Sequence, residues 1–316
     1  MSDNARTLYD VIIVGAGPAG LNAALVLGRS RRRVLVCNTG EHRNAASRAL
    51  HGFLTRDGID PRELLRVGRD QLDRYDTVEV QDIGVTTIEQ HNEQFSVTLT
   101  DGTQLRARKI LLATGVVDQL PDIEAFKTFY GRGVFHCPYC DGWEVRDRPI
   151  AIYGRGEQGR GLALELTGWS HDVTLCADGP AELNAEDREK LARNRIQLRE
   201  EKIAHLEGNE GILERIVFEQ GSDLRCGALF FNLGYHQRSD LAEKLGCNLE
   251  PHKGQIVSNR HEATNVPGVY VAGDAAFHTH FAIIAASEGA VAALAINTAL
   301  LREDSRLTAN PAQQEH

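Results

Sequence analysis

Two turns of the form Gly-x-Gly-x-x-Gly, each preceded by a short apolar run, constrain this chain more than any other feature. The first is Gly15-Ala16-Gly17-Pro18-Ala19-Gly20, after the run Tyr9–Val14; the second is Gly154-Arg155-Gly156-Glu157-Gln158-Gly159, after Pro149–Tyr153. A run like Tyr9–Val14 forms a buried parallel strand. A helix read at Leu21–Gly28 and a strand at Val34–Cys37 complete a β-α-β unit. In that context the glycines have distinct tasks: Gly15 permits the tight turn, Gly17 lets backbone approach a pyrophosphate, and Gly20 lets helix and strand pack closely. The free N–H groups and the dipole at the helix start favour the anion.

The second turn repeats the plan, with a helix over about Gly161–Trp169 and a strand at Asp172–Cys176. Between the two units, Pro61–Tyr75 reads as a helix with Pro61 in its first turn. Thr77–Thr114 reads as strands, with Asp101-Gly102 turning a hairpin between Phe95–Thr100 and Leu105–Ala113. Strands end again near Leu229–Leu233, Gly268–Ala272 is a strand, and Ala282–Leu301 is a long Ala-rich helix. The expected fold is α/β, with two Rossmann-like, three-layer nucleotide-binding domains, the second inserted in the first. The crossings are placed near Val116–Pro121 and Leu249–Gly254. That gives a discontinuous domain of residues 1–117 and 250–316 and an inserted domain of residues 118–249.

Composition bounds the partners. The 316 residues are 42% hydrophobic and 25% charged, as in an ordinary globular enzyme. A net charge of -9 argues against nucleic acid. No membrane span and no signal peptide before the first strand are expected, and with them a cytoplasmic location. Six cysteines, only two of them closely spaced, do not make a secreted disulfide scaffold.

The close pair is Cys137-Pro138-Tyr139-Cys140. Two intervening residues at a helix start put both sulfurs within bonding reach and lower the pKa of one. A dithiol that exchanges two electrons with a partner uses one thiolate for the exchange and the second thiol to close the disulfide. Asp141, beside the second cysteine, can carry a proton that leaves or returns with the exchange. Half of a zinc site is the competing reading, but no second Cys/His pair with ligand spacing stands near, and no metal is expected.

The ordered set of these motifs, with Ala113-Thr114-Gly115, Cys140-Asp141-Gly142 and Val271-Ala272-Gly273-Asp274, resembles the low-molecular-weight thioredoxin reductase family over nearly the whole chain. The resemblance implies an FAD-dependent disulfide oxidoreductase that is a homodimer. It implies FAD held by Gly15, Gly17, Pro18, Ala19, Gly20, Thr114, Gly115, Gly273 and Asp274, with Asp274 at the ribityl chain. It implies Cys140 facing the flavin, Cys137 exchanging with substrate, and Asp141 as acid/base. The substrate class it implies is a protein disulfide such as thioredoxin, or a small dithiol or disulfide.

Two places depart from the family. NADPH-using members carry His-Arg-Arg after the second strand of the inserted unit, because arginines pair with the 2′-phosphate. Here that place reads Cys176-Ala177-Asp178-Gly179, and Asp178 repels such a phosphate. The second pocket, Gly154, Gly156, Gly159 and Asp178, is therefore read as holding NADH, a second FAD or nothing. At the FAD ribose, Asn38 replaces the usual acid. Arg43-Asn44, Leu50-His51-Gly52-Phe53 and Cys137-Pro138-Tyr139-Cys140-Asp141-Gly142-Trp143-Glu144 resemble flavin-dependent dithiol oxidases of the same superfamily, which usually have His after the second Cys, where this chain has Asp141. Relatives that take electrons from a ferredoxin, or carry a second flavin, share the loss of the arginine pair.

His51, His278 and His280 are candidates for a flavin-proximal position, against the reading that they are loop residues or dimer contacts. Cys37, Cys176, Cys226 and Cys247 read as small core residues. Trp143 and Trp169 read as packing residues, Trp143 close enough to the dithiol to line a groove. The expected activity is thiol–disulfide exchange through FAD with a donor other than NADPH. The alternatives are a dithiol oxidase that uses O₂ and makes H₂O₂, and a non-catalytic flavin redox sensor.

Overall fold

The computed structural model describes residues 8–252, 254–276 and 279–308. It divides into two compact units. One comprises the chain up to Arg43, Arg62–Val117 and the chain from His236; the other comprises Asn44–Pro61 and Asp118–Tyr235. The second crossing thus falls earlier than Leu249–Gly254, and a loop of the first half belongs to the inserted unit. Both follow from contacts between residues far apart in sequence.

The first unit opens with strand β1 (Leu8–Val14), helix α1 (Pro18–Arg29) and strand β2 (Val34–Cys37). α1 starts three residues before the expected Leu21 because Pro18, which has no N–H to lose, sits in its first turn. Next come α2 (Pro61–Asp70) and strands β3 (Val78–Gln81), β4 (Val85–His91), β5 (Gln94–Leu99), β6 (Gln104–Leu112) and β7 (Val116–Asp118). The sheet order is β3-β2-β1-β6-β5-β4. β1 runs parallel to β2, with Val11 opposite Val34, and parallel to β6, with Val14 opposite Leu112. β5 and β6 form the antiparallel hairpin expected around Asp101-Gly102.

In the inserted unit α3 (Phe126–Phe129), β8 (Val134–Phe135) and α4 (Pro138–Asp141) lead to β9 (Ile150–Tyr153), α5 (Gly156–Leu166) and β10 (Val173–Cys176). α6 (Ala185–Arg193) and β11 (Gln197–Arg199) follow, then β12 (Ile203–Asn209), β13 (Ile212–Phe218), β14 (Leu224–Arg225) and β15 (Ala228–Phe231), and β16 (Tyr235–Gln237) leads back into the first unit. A parallel sheet of order β11-β10-β9-β15-β8 forms the centre. Ile150, Ile152 and Leu175 pack with Leu162, Leu166 and Leu191 of the helices. On the other side Ala151 and Leu229 pack with Leu206, Leu213, Ile216 and Phe218 of the antiparallel meander. This is the three-layer arrangement expected.

α5 begins at Gly156, not near Gly161. Its first turn is glycine-rich and weak in helix propensity, but a Cβ at Gly159 would lie 2.5 Å from the Gly154 carbonyl carbon, so close packing starts the helix early. Beyond β16 the chain forms α7 (Leu241–Lys244), β17 (Val269–Val271), which joins β6, and α8 (Ala282–Thr308). α8 is long and apolar enough to cross a membrane by composition, with mean hydropathy 1.6 over its best stretch. Ala292, Ala293, Ile296 and Leu300 are nonetheless fully buried in the core shared with α1, as in the core helix of a globular unit.

Candidate functional site

The cradle of the first unit forms where β1 ends. Gly15 has φ +112°, and a Cβ there would sit 2.2 Å from the Ala113 carbonyl oxygen. At Gly20 a Cβ would sit 1.9 Å from the Gly15 carbonyl oxygen. Both positions are therefore closed to side chains by the protein itself. Gly17 differs: it caps α1 with φ -72°, and a Cβ there meets nothing within 4 Å. The space beside Gly17, lined by free N–H groups at the helix start, fits a pyrophosphate. Gly115, at φ +68°, likewise faces open space.

Asp274 lies in a single helical turn, Gly273–Ala275, just after β17. Its Oδ2 accepts from Arg43 Nη1 at 2.9 Å, and the same guanidinium nitrogen is 2.6 Å from His280 Nδ1. His278 lies outside the described residues. Asn38 stands just past β2 with its amide committed: Nδ2 donates to Asp82 Oδ1 at 3.0 Å, and Oδ1 accepts from Gly40 N–H. Asp82, held below the usual carboxylate range by Arg69 and Asn38, thus puts an acid next to Asn38.

The dithiol site belongs to the inserted unit. Cys137 and Cys140 form a disulfide. Cys137 caps the single turn α4, its sulfur accepting the Cys140 N–H at 3.2 Å. Pro138 fills the first helical position, where its missing N–H costs nothing. Burial pushes the Asp141 carboxyl up to about 7; the like charge of Glu144 adds to this and His51 opposes it. His51 comes from the 44–61 loop, with Nε2 3.5 Å from Glu144 Oε1 and Nδ1 3.5 Å from Asp57 Oδ1. Of the candidate histidines, His51 therefore joins the dithiol and His280 joins Asp274. Just before the pair in sequence, His136 lies 3.3 Å by its Nδ1 from the Tyr130 hydroxyl, which donates to Asp118 Oδ2 at 2.6 Å.

The rim is aromatic. Tyr139 and Trp143 are 64% and 65% exposed, which makes Trp143 a surface residue and not a packing one. Arg146 lies over the Trp143 ring at 3.9 Å. Trp169 packs edge-on to Tyr139 at 5.4 Å. The free cysteines Cys37, Cys176, Cys226 and Cys247 are buried, and burial pushes their thiols up, Cys37 and Cys226 to about 12.

At the second turn Gly159 packs against Gly154, but it is Gly156, not the first glycine, that takes the positive φ (+56°), and the surroundings are taken by the chain. Arg155 folds across the end of β10, donating from Nε to the Ala177 carbonyl at 2.6 Å and also to the Asp178 carbonyl. The guanidinium lies 3.2 Å from where a Gly179 Cβ would stand. Asp178 turns inward, Oδ1 accepting the Ile203 N–H at 2.8 Å. Arg160 is paired with Asp187.

Sequence reasoning gave Glu144 no role of its own and missed Asp57, Asp118, His136 and the closure by Arg155. Glu144 carried a signal, since three residues after Asp141 is helical spacing. The others meet the site only through folding.

Two glycine-rich turns after parallel strands and a half-buried acid beside a Cys-x-x-Cys disulfide are the features of a flavoprotein disulfide oxidoreductase. The family model for pyridine nucleotide-disulphide oxidoreductases matches residues 9–292, and the chain belongs to that family. It is 31% identical over 284 residues to thioredoxin reductase tcpT of Claviceps purpurea, covering 86% of this chain and 88% of that one. It resembles the solved structure of HlmI with a TM-score of 0.90 and 35% identity, covering 94% of each chain. An oxidoreductase from Agrobacterium tumefaciens gives a TM-score of 0.87 at 32% identity over 93% of this chain and 99% of that one. The chain is a thioredoxin reductase-like enzyme, and its family implies bound FAD.

Proposed function

We propose that this enzyme passes electrons between FAD and the Cys137/Cys140 pair, and from that pair to a protein or small-molecule disulfide, without using NADPH. The observation that carries the last clause is Arg155. It folds over the rim of β10 with its guanidinium spent on the Ala177 and Asp178 carbonyls and on the Asp178 carboxylate at 3.6 Å, so it is not offered to a 2′-phosphate. The donor is then a redox protein of the ferredoxin kind or a dithiol, and the second cradle stays closed.

In this reading Gly15, Gly17, Pro18, Ala19, Gly20, Thr114 and Gly115 hold the cofactor's phosphate end, Asn38 with Asp82 its ribose, and Gly273-Asp274 its ribityl chain. Bound FAD supplies two-electron chemistry with thiols. Cys137 would meet the substrate disulfide and Cys140 would face the cofactor, and the two sulfurs close the disulfide when the pair is oxidised. Asp141 gives the proton to the departing thiolate and takes it back in the other half-reaction. Tyr139 and Trp143 offer an apolar rim to the incoming disulfide. Leu294 and Leu301, 62% and 54% exposed and two helical turns apart on α8, offer a face for the second copy of a homodimer.

The test is oxygen consumption with a dithiol such as dithiothreitol. Slow uptake, with fast turnover once a disulfide acceptor is added, supports the reductase. Rapid uptake with stoichiometric H₂O₂ replaces it by a dithiol oxidase. Cys140→Ser abolishes either.

A further inference from the structure

From Ala282 to Ile296, helix α8 carries only two polar side chains, Ser287 and Glu288. Glu288 is partly buried, and its Oε2 accepts the Gly273 N–H at 2.7 Å. Gly273 is held at φ +77°, where a Cβ would press on Ala19 Cβ at 3.0 Å. The next residue on the helix, Gly289, lies so near α1 that a Cβ would fall 2.1 Å from the Ala19 carbonyl oxygen. Asn22 of α1 donates to the Ala286 carbonyl at 2.6 Å. One turn of α8 thus grips both loops of the first unit: the Gly15–Gly20 cradle through Ala19 and Asn22, and the Gly273-Asp274 turn through Glu288.

We propose that Glu288 is a positioning residue for the flavin, holding the Gly273-Asp274 turn in its binding shape by accepting the Gly273 N–H. This rests on the reading above that Asp274 meets the ribityl chain. Leaving a partly buried N–H without its acceptor loosens the turn, and a loosened turn must be ordered again whenever the cofactor binds.

The choice of an acid has a consequence that an amide acceptor would not. Burial pushes Glu288 up to about 7; the Gly273 N–H opposes this, and the charges of Glu262 and Asp274 add to it. The other groups facing this cluster are Arg43 and His280, which meet Asp274, and Ser258, which donates to Glu262. No cation among the described residues contributes to Glu288 itself. A bound pyrophosphate adds negative charge to the same end of the unit and favours protonated Glu288. By linkage, FAD then binds more weakly as pH rises through 7.

The experiment titrates FAD into the cofactor-stripped full-length chain at pH 6 and pH 8, for wild type, Glu288→Ala, Glu288→Gln and Asp274→Ala. Expected at pH 6 is a dissociation constant about tenfold higher for the Ala variant, and within a factor of about two for the Gln variant, whose carbonyl still accepts the N–H. At pH 8 the Gln variant binds more tightly than wild type, because its affinity no longer falls with pH. An Ala variant that binds like wild type while Asp274→Ala is weakened overturns the role of Glu288. If Asp274→Ala also binds like wild type, the ribityl assignment itself fails. Should Glu288→Ala not fold, the Gln variant decides: a flat pH response supports the role, and the wild-type response overturns it.

Discussion

His51 Nε2 lies 3.5 Å from Glu144 Oε1, so a loop from before the first crossing meets the dithiol turn within the inserted unit. Glu144 raises the Asp141 carboxyl and His51 lowers it, against a background of burial. Asp141 is therefore protonated below about pH 7 and ionised above it. With Asp141 in its proposed role as the acid, release of the substrate thiolate should decline as pH rises through 7. Asp141→Asn should lower disulfide turnover by about 100-fold and remove the break from the pH–rate profile. A profile that keeps its break near 7 in that variant would place the acid elsewhere.

His51→Gln removes the one cause that lowers Asp141. The same break should move upward by roughly half a unit to one unit, with turnover below pH 6 little changed. A downward shift would contradict the geometry.

Gly17 and Gly20 separate binding from folding. Gly20→Ala drives a Cβ into the Gly15 carbonyl, and should cost about 2 kcal/mol or more in urea unfolding. Gly17→Ala meets no protein atom within 4 Å and should leave the cofactor-free chain as stable as wild type. Its methyl group would fill the space read as the pyrophosphate's, so FAD should bind at least about tenfold more weakly.

Thiol counting tests the inert cysteines. After reduction, the native protein should titrate two thiols with a disulfide reagent at pH 8, those of Cys137 and Cys140. Unfolding in guanidinium should reveal all six cysteines. Burial keeps the other four protonated and out of reach.

The parts legible in the sequence were those encoded locally. β1, its glycine turn and β2 follow from one apolar run and three glycines. The hairpin at Asp101-Gly102 follows from a dipeptide, and the disulfide from a spacing of three. Contacts between distant segments carried no such signal. The 44–61 loop joins the inserted unit because Gly131 fits against the backbone of Ala46 and Ser47, and because Arg48 donates to the Glu210 carbonyl. That displacement is what puts His51 beside Glu144. At the second cradle the sequence showed that arginines were missing after β10. It did not show that Arg155, inside the glycine turn, would fold over the vacated rim.

The most direct test of a thiol–flavin relay without NADPH is an anaerobic titration followed by the oxidised-flavin absorbance. A dithiol should bleach the band rapidly and completely, while NADPH and NADH at millimolar concentration leave it unchanged. Arg155→Ala should still not respond to NADPH, because Asp178 remains. Rapid bleaching of the wild-type enzyme by NADPH would contradict the account: it would show that the second cradle opens to a nicotinamide dinucleotide despite Arg155 and Asp178.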